Sequence, residues 1–314
     1  MILVTVGSSA DGFNRVIEQV DGLKGEHKIN DNLVMQIGHG SYIPKNADRF
    51  FRFTSWKEIN DLHKKVDCVI SHAGAGSILT ALAHGKPFIG VPRLKKLGEH
   101  TNNHQVDMAR VLVNEGKMLM AGDKKGILDC ISKVRGGWKP KSGSTKNMFS
   151  KRVLKSLGDF RFSGRPKICF ICSSGGHLIE LLPLGEVMKK FDRFWITFES
   201  PISRQTLGGE RIYTTKEPVR NPVRFLKVFY DSLRVFLKER PDAIITTGAG
   251  VVIPFCFISW VFRKKIIYIE SFCRTYDRSL SGRILYPISS LFLVQWKHML
   301  REHGRNVRYF GQVY

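Results

Sequence analysis

Four short runs of glycine and serine stand where the chain turns from an apolar, β-branched stretch into an amphipathic one. They are Gly7, Ser8 and Ser9; residues 71–77, with His72, Gly74, Ala75, Gly76 and Ser77; residues 173–177, with Ser174, Gly175, Gly176 and His177; and residues 246–250, with Thr247, Gly248 and Gly250. The chemistry such runs support is anion binding. The first amides of a helix lack an intrahelical partner and lie at the positive end of its dipole, and glycine lets the backbone close on a phosphate oxygen. A tight strand-to-helix turn needs glycine for its own geometry, so one run alone says little. Four in corresponding places in two halves of a chain point to two diphosphates, one per half.

Competing motifs fail on the letters. The dinucleotide fingerprint G-x-G-x-x-G/A meets Leu79 after Gly74 and Gly76, and Ile253 after Gly248 and Gly250. There is no G-x-x-x-x-G-K-[ST] loop and no pair of aspartates two apart to hold a divalent metal. Cys169 and Cys172 form a C-x-x-C, but three residues apart on a strand they point to opposite faces. No metal site and no other cofactor is therefore expected.

The elements that must carry these turns follow from periodicity. In the first half, residues 2–6, 33–37, 68–71 and 87–91 read as strands, and residues 13–23, 56–64 and 76–83 as helices. In the second half, residues 167–172, 193–197, 243–246 and 265–269 read as strands separated by helices. Continuous apolar strands alternating with helices predict an α/β chain with parallel sheets covered on both faces. The expected architecture is two Rossmann-like doubly wound domains facing across a cleft, at residues 1–134 and 167–314. A basic linker with one short helix would span residues 135–166. Residues 243–262 carry no charge and are long enough to cross a bilayer, yet Gly248, Gly250 and Pro254 break them, so we read a strand, a turn and an apolar helix.

Composition bounds the partners. In 314 residues, 50 Lys and Arg stand against 27 Asp and Glu, a net charge of +23 that favours an anionic partner without choosing one. The absence of an aromatic stacking motif or recognition helix argues against a nucleic-acid-binding protein, the alternative from a different class. Hydrophobic residues at 43% exclude disorder, and six cysteines without a leader segment read as reduced thiols. Residues 223–238 form a basic amphipathic pattern, with Phe225, Leu226, Phe229, Leu233, Phe236 and Leu237 at helical spacing among Arg220, Arg224, Lys227, Arg234 and Lys238. Such a helix suits either a core or an anionic membrane surface.

Longer motifs carry a resemblance. The stretch from Val69 through Ser77 to Leu79, the run from Gly85 to Arg93, and the run from Gly98 to Gln105 resemble the donor-binding subunit of bipartite glycosyltransferases. Residues 173–178, 240–250, 268–272 and 293–296 resemble the membrane-associated partner subunit. These subunits add the second N-acetylglucosamine to dolichyl-diphosphate-GlcNAc, and paired bacterial relatives assemble exopolysaccharide and capsule. Both halves are similar to the two domains of GT-B enzymes of glycosyltransferase family 28, here in reversed order and with both usual subunits on one chain.

The resemblance implies an inverting glycosyltransferase that moves a sugar, favoured as GlcNAc, from a UDP-sugar to a polyprenyl-diphosphate-linked sugar, with a β-1,4 linkage. The protein would be peripheral, at the cytoplasmic face of a membrane. Glucuronosyl, galactosyl or glucosyl transfer and a UDP-sugar epimerase remain alternatives. Donor binding falls to Gly7, Ser8, Ser9, His72, Gly74, Ala75, Gly76 and Ser77, with Arg93 adding charge and Asn103, His104 and Gln105 reading the sugar. Thr80 stands where the family usually carries an acidic residue for the ribose hydroxyls. Acceptor binding falls to Ser174, Gly175, Gly176, Thr247, Gly248, Gly250, Ser271 and Arg274. His177, at a helix start that favours neutral imidazole, is the expected base, and Glu270 and Glu99 are alternatives if desolvated.

Overall fold

The structure, a computed structural model, describes residues 1–7, 9, 12–100, 103–141, 148–215, 222–302 and 307–313. It divides into two compact units, Met1–Ser144 and Thr145–Tyr314, and the division falls inside the stretch expected to link two domains.

The first unit is built on six parallel strands: β1 (Ile2–Thr5), β2 (Leu33–Gln36), β3 (Arg49–Phe51), β4 (Cys68–Ser71), β5 (Phe88–Gly90) and β6 (Leu119–Met120). Their spatial order is β3-β2-β1-β4-β5-β6, with Val4 opposite Met35 on one side and Ile70 on the other. Five helices connect them: α1 (Asn14–Gly25), α2 (Trp56–Lys65), α3 (Ala75–Ala83), α4 (His104–Asn114) and α5 (Lys124–Arg135). Every residue of β1, β2 and β4 is buried, as expected of strands covered on both faces. Ser55 caps α2 by accepting from the Glu58 amide, and Asp123 caps α5 by accepting from Gly126.

The second unit repeats this plan and adds one strand. It holds α6 (Met148–Gly158), β7 (Ile168–Ile171), α7 (Gly176–Val187), β8 (Arg193–Phe198), α8 (Pro201–Thr206), β9 (Ile212–Thr215), α9 (Pro222–Glu239) and β10 (Ala243–Thr246). It continues with α10 (Val252–Val261), β11 (Lys265–Ile269), α11 (Leu280–Leu285), β12 (Leu291–Val294), α12 (Met299–Glu302) and β13 (Val307–Tyr309). The sheet runs β13-β12-β11-β10-β7-β8-β9, all parallel. Numbered from its own first strand, its order is that of the first sheet with one strand appended.

The expected linker needs a correction. Residues 148–158 form α6, which buries Phe149, Val153 and Leu157 in the second unit and packs against α7, so this segment is core rather than connection. Four edge strands, β3, β6, β9 and β13, have no counterpart in the periodicity reading: each is two to four residues long and partly exposed, with no apolar run to mark it. The uncharged stretch 243–262 resolves into β10 and α10, and among the described residues no helix is long and apolar enough to cross a membrane.

Candidate functional site

In a doubly wound sheet, ligands bind beyond the carboxyl ends of the two central strands, where the winding reverses. Here those pairs are β1 with β4 and β7 with β10, and the four glycine turns are the segments that leave these four strands.

In the first unit, His72 lies between the two turns. The Ser71 hydroxyl donates to the Thr5 carbonyl at 2.6 Å and lies 3.0 Å from His72 Nδ1, so Nδ1 carries the proton and Nε2 is left as an acceptor. A Cβ on Gly74 would stand 2.2 Å from that Nε2, which explains glycine at 74. Enclosure of the ring pulls the His72 pKa down to about 3; the charge of Arg93 adds to this, the Thr5 backbone opposes it, and His100 contributes a smaller lowering.

Gly74 precedes α3 with no side-chain cap, and the first intrahelical bond runs from the Ile78 amide to the Gly74 carbonyl at 3.1 Å. The amides of Ala75, Gly76 and Ser77 are therefore the ones α3 leaves to an anion. Gly7 does not join them. Its amide donates to Gln36 Oε1 at 3.0 Å, and that oxygen also accepts from the Val6 amide and the Thr5 hydroxyl. Gln36 Nε2 returns bonds to the carbonyls of Gly7 and Arg52 at 3.0 and 2.8 Å. Gln36, at the end of β2 and buried, was not visible as a site residue: a polar side chain closing an apolar strand looks like an ordinary strand end. Ser8 lies outside the described residues. The Ser9 carbonyl accepts from Gly12 and faces His39 Nδ1.

Other donor-side residues turn inward. The Thr80 hydroxyl donates to the Gly76 carbonyl at 2.7 Å and is buried, so it serves its own helix. Arg93 is 2% exposed, over the Phe13 ring and bonded to the Val6 carbonyl, so it acts through its field rather than by reaching out. Gln105 Oε1 accepts from the Arg93 amide and Asn103 Oδ1 from the Lys95 amide, while His104 opens α4. Glu99 is excluded as a base. It forms a two-point ion pair with Arg15 at 2.7 and 2.9 Å and accepts from the Leu94 amide, which leaves the carboxylate fully engaged.

In the second unit, Ser174 is half-buried and Gly175 precedes α7, again with no side-chain cap; the Ile179 amide makes the first intrahelical bond to Gly175 at 3.1 Å. The amides of Gly176, His177 and Leu178 are left over. His177 Nδ1 is buried without a hydrogen-bond partner among the described residues. Burial takes its pKa down to about 4, against the raising effect of the Thr247 backbone and with Arg274 lowering it further. The Thr247 hydroxyl donates to the His177 carbonyl at 3.3 Å and so fastens the two turns together.

The fourth turn is self-satisfied. The Gly248 amide donates to the Thr246 hydroxyl at 3.0 Å and the Ala249 amide to Ser281 Oγ at 3.3 Å, so neither amide is spare. A Cβ at Gly248, whose φ is +92°, would stand 2.4 Å from the Tyr268 hydroxyl. Gly250 is exposed, and α10 begins only at Val252. Glu270 is also corrected. It is 0% exposed and accepts from the amides of Ser271 and Ser279, both at 3.1 Å, so it holds its own loop and meets no acceptor. Burial, the largest influence, raises its pKa despite those bonds and Arg274. A second acid was missed. Glu180, three residues after His177 on α7, is an acid on a helix face otherwise occupied by Leu178, Leu181 and Leu184, and that break in pattern was the available signal. Ser271 spends its hydroxyl on Glu180 at 3.0 Å, and Arg274 is half-buried with a 3.5 Å contact to Asp277.

Beside this site α9 shows two apolar stripes. Val228 and Phe236 are buried against the unit, with α10 packed alongside, whereas Leu226 (67% exposed), Tyr230 (66%) and Leu237 (50%) face outward with exposed Lys227, Arg234 and Lys238. Phe257, Trp260, Val261 and Phe262 on and after α10 and Leu280 and Ile284 on α11 are also exposed. Arg220 lies outside the described residues, as do the side chains of Arg224 and Phe225.

Residues 1–125 match the glycosyltransferase family 28 C-terminal domain, and residues 214–313 match the Alg14-like oligosaccharide biosynthesis protein family. The chain is 39% identical over 89 residues to the UDP-N-acetylglucosamine transferase subunit ALG14 of Candida albicans, covering 26% of this chain and 40% of that one. It is 26% identical over 201 residues to the ALG14 subunit of Mus musculus, covering 52% and 90%. It is 34% identical over 211 residues to the UDP-N-acetylglucosamine transferase subunit ALG13 of Homo sapiens, covering 62% and 18%. The chain thus spans about two fifths of the Candida relative and under a fifth of the human one. His177 lies outside both matched stretches.

Proposed function

We propose that this chain, which joins a glycosyltransferase family 28 C-terminal domain to an Alg14-like domain, moves N-acetylglucosamine from UDP-GlcNAc to a polyprenyl-diphosphate-linked sugar with inversion, forming a β-1,4 linkage. The first unit takes the donor and the second the acceptor. The observation that carries this reading is that each unit has, at the reversal of its own sheet, a helix whose first turn no side chain caps: α3 in one, α7 in the other.

The amides of Ala75, Gly76 and Ser77 would hold the departing UDP, and the Arg93 charge beneath them would favour its negative charge. The amides of Gly176, His177 and Leu178 would hold the acceptor diphosphate. His177 would take the proton of the attacking hydroxyl. With a pKa near 4 the free imidazole is neutral but a weak base. A bound diphosphate beside it would raise that pKa toward neutrality, so the base gains strength when the acceptor arrives. With backbone amides neutralising the leaving group, the reading needs no metal, and turnover should survive a chelator. The outward stripe of α9, apolar between cations, would rest on the anionic cytoplasmic surface of the membrane that carries the lipid substrate.

The deciding experiment offers the purified chain a panel of UDP-sugars with a short polyprenyl-diphosphate-GlcNAc and scores product mass. One added N-acetylhexosamine with the diphosphate retained is the expected product. Glucose, galactose or glucuronate addition would reassign the donor, and UDP release without a lipid product would end the acceptor assignment.

A further inference from the structure

Two buried carboxylates in the second unit hold opposite ends of one loop. Glu180, 1% exposed, accepts from the Ser271 hydroxyl at 3.0 Å and the Phe272 amide at 3.1 Å. Glu270 accepts from the amides of Ser271 and Ser279. Gln295, just past β12, ties the two together: its Nε2 donates to Glu180 Oε2 at 2.9 Å and to the Glu270 carbonyl at 3.1 Å. The loop so fastened, residues 271–279, carries Arg274, whose charge acts on both the His177 ring and the Glu270 carboxyl.

We propose that Glu180 is a positioning residue for the acceptor: it fastens loop 271–279 to α7, so fixing Arg274 beside the amino end of that helix, and through its own charge it tunes affinity for the lipid diphosphate. This rests on the acceptor reading of the second unit. The titratable and charged groups around Glu180 are Glu270 at the end of β11, Cys172 after β7, His177 one turn back on α7, and Arg274 on the loop. Two buried carboxylates this close disfavour double ionisation. Burial, with Glu270 adding, raises Glu180 to about 7 against the bonds from Phe272, Ser271 and Gln295. As pH rises through neutrality, Glu180 gains a negative charge one turn into α7, where it opposes a bound diphosphate.

The chemistry of the pocket separates fastening from charge. A glutamine at 180 can accept from Phe272 and Gln295 through its oxygen and donate to Ser271 Oγ through its amide, so it keeps the loop and abolishes the titration. An alanine leaves buried donors without an acceptor.

The experiment measures calorimetric binding of a short polyprenyl-diphosphate-GlcNAc, a diester whose charge is constant across the range, and separately of UDP, to the full chain at pH 6 and pH 8. In the unsubstituted chain acceptor affinity should weaken about threefold from pH 6 to pH 8. Glu180→Gln should bind well at both values with that difference gone. Glu180→Ala should raise the acceptor Kd about tenfold or more with UDP affinity unchanged, and should speed hydrogen exchange at the Phe272 amide. If Glu180→Ala does not fold, Ser271→Ala, which removes the hydroxyl joining loop to acid, is read in the same way. Acceptor affinity unchanged in these truncations overturns the fastening role, and a pH difference that persists in Glu180→Gln overturns the tuning. An unsubstituted chain that binds no acceptor overturns the acceptor reading instead, and slow exchange at Phe272 in Glu180→Ala then overturns the fastening independently.

Discussion

His177 is the residue on which the proposed chemistry turns, because its imidazole is neutral, its Nδ1 has no partner among the described residues, and the spare amides of α7 begin beside it. Replacing it with alanine should reduce turnover by about 10² or more while UDP affinity holds, since loss of a general base affects the reaction rather than the donor site. Single-turnover assays with saturating lipid check this, and near-normal rates would remove the assignment. Gly74 offers a steric test in the other unit. A Cβ there lies 2.2 Å from His72 Nε2, so Gly74→Ala must displace the ring that packs between the two turns. UDP affinity should fall about tenfold or more and stability by about 1–3 kcal/mol, by calorimetry and denaturant melts. Glycine positions such as these were legible because close approach demands glycine. The residues that set the turns, Gln36 and Glu180, were not, since nothing in a single sequence distinguishes a buried polar anchor from an ordinary strand end or helix position.

Among the elements, α9 separates two uses of apolar surface. Its inward stripe, Val228 and Phe236, builds the core, and its outward stripe has nothing described packed over it. Leu226→Ser, Tyr230→Ser and Leu237→Ser combined should lower binding to anionic liposomes about tenfold or more without changing the melting temperature by more than a few degrees, because about 25 cal/mol per Å² is lost only where those side chains leave water. Co-sedimentation at low salt measures this; equal binding by the substituted protein would reject the membrane face. Periodicity placed the central strands and α9 correctly because both carry long apolar patterns. It passed over β3, β6, β9 and β13, where two to four residues at a sheet edge leave too little pattern to read, and it took α6 for a linker helix because its exposed basic residues outweighed the narrow stripe of Phe149, Val153 and Leu157.

At the scale of the whole molecule, buried titratable groups give stability an acid-side and an alkaline-side slope. His72 and His177 have pKa values of about 3 and about 4, and burial also lowers His63. Below about 6.5 the unfolded chain binds protons that the folded chain refuses, so stability should fall as pH drops from about 6.5 toward 4. Glu180 works oppositely. Its folded pKa of about 7 exceeds the usual 4.5, so the folded chain binds the extra proton and stability falls as pH rises between those values. Melting curves should show a shift of about 5 °C across the acid range, and Glu180→Gln should lose the decline between pH 5 and 7 while keeping the acid one. A variant with an unchanged profile would refute this account. The two units thus anchor their turns with different side-chain chemistry: Gln36 is an amide that has no proton to gain or lose, whereas Glu180 is an acid that exchanges one near neutrality. Acidification of the surrounding medium would therefore leave the nucleotide side indifferent and adjust only the lipid side, so that the supply of carrier, and not of activated sugar, becomes the point at which local proton concentration meters flux.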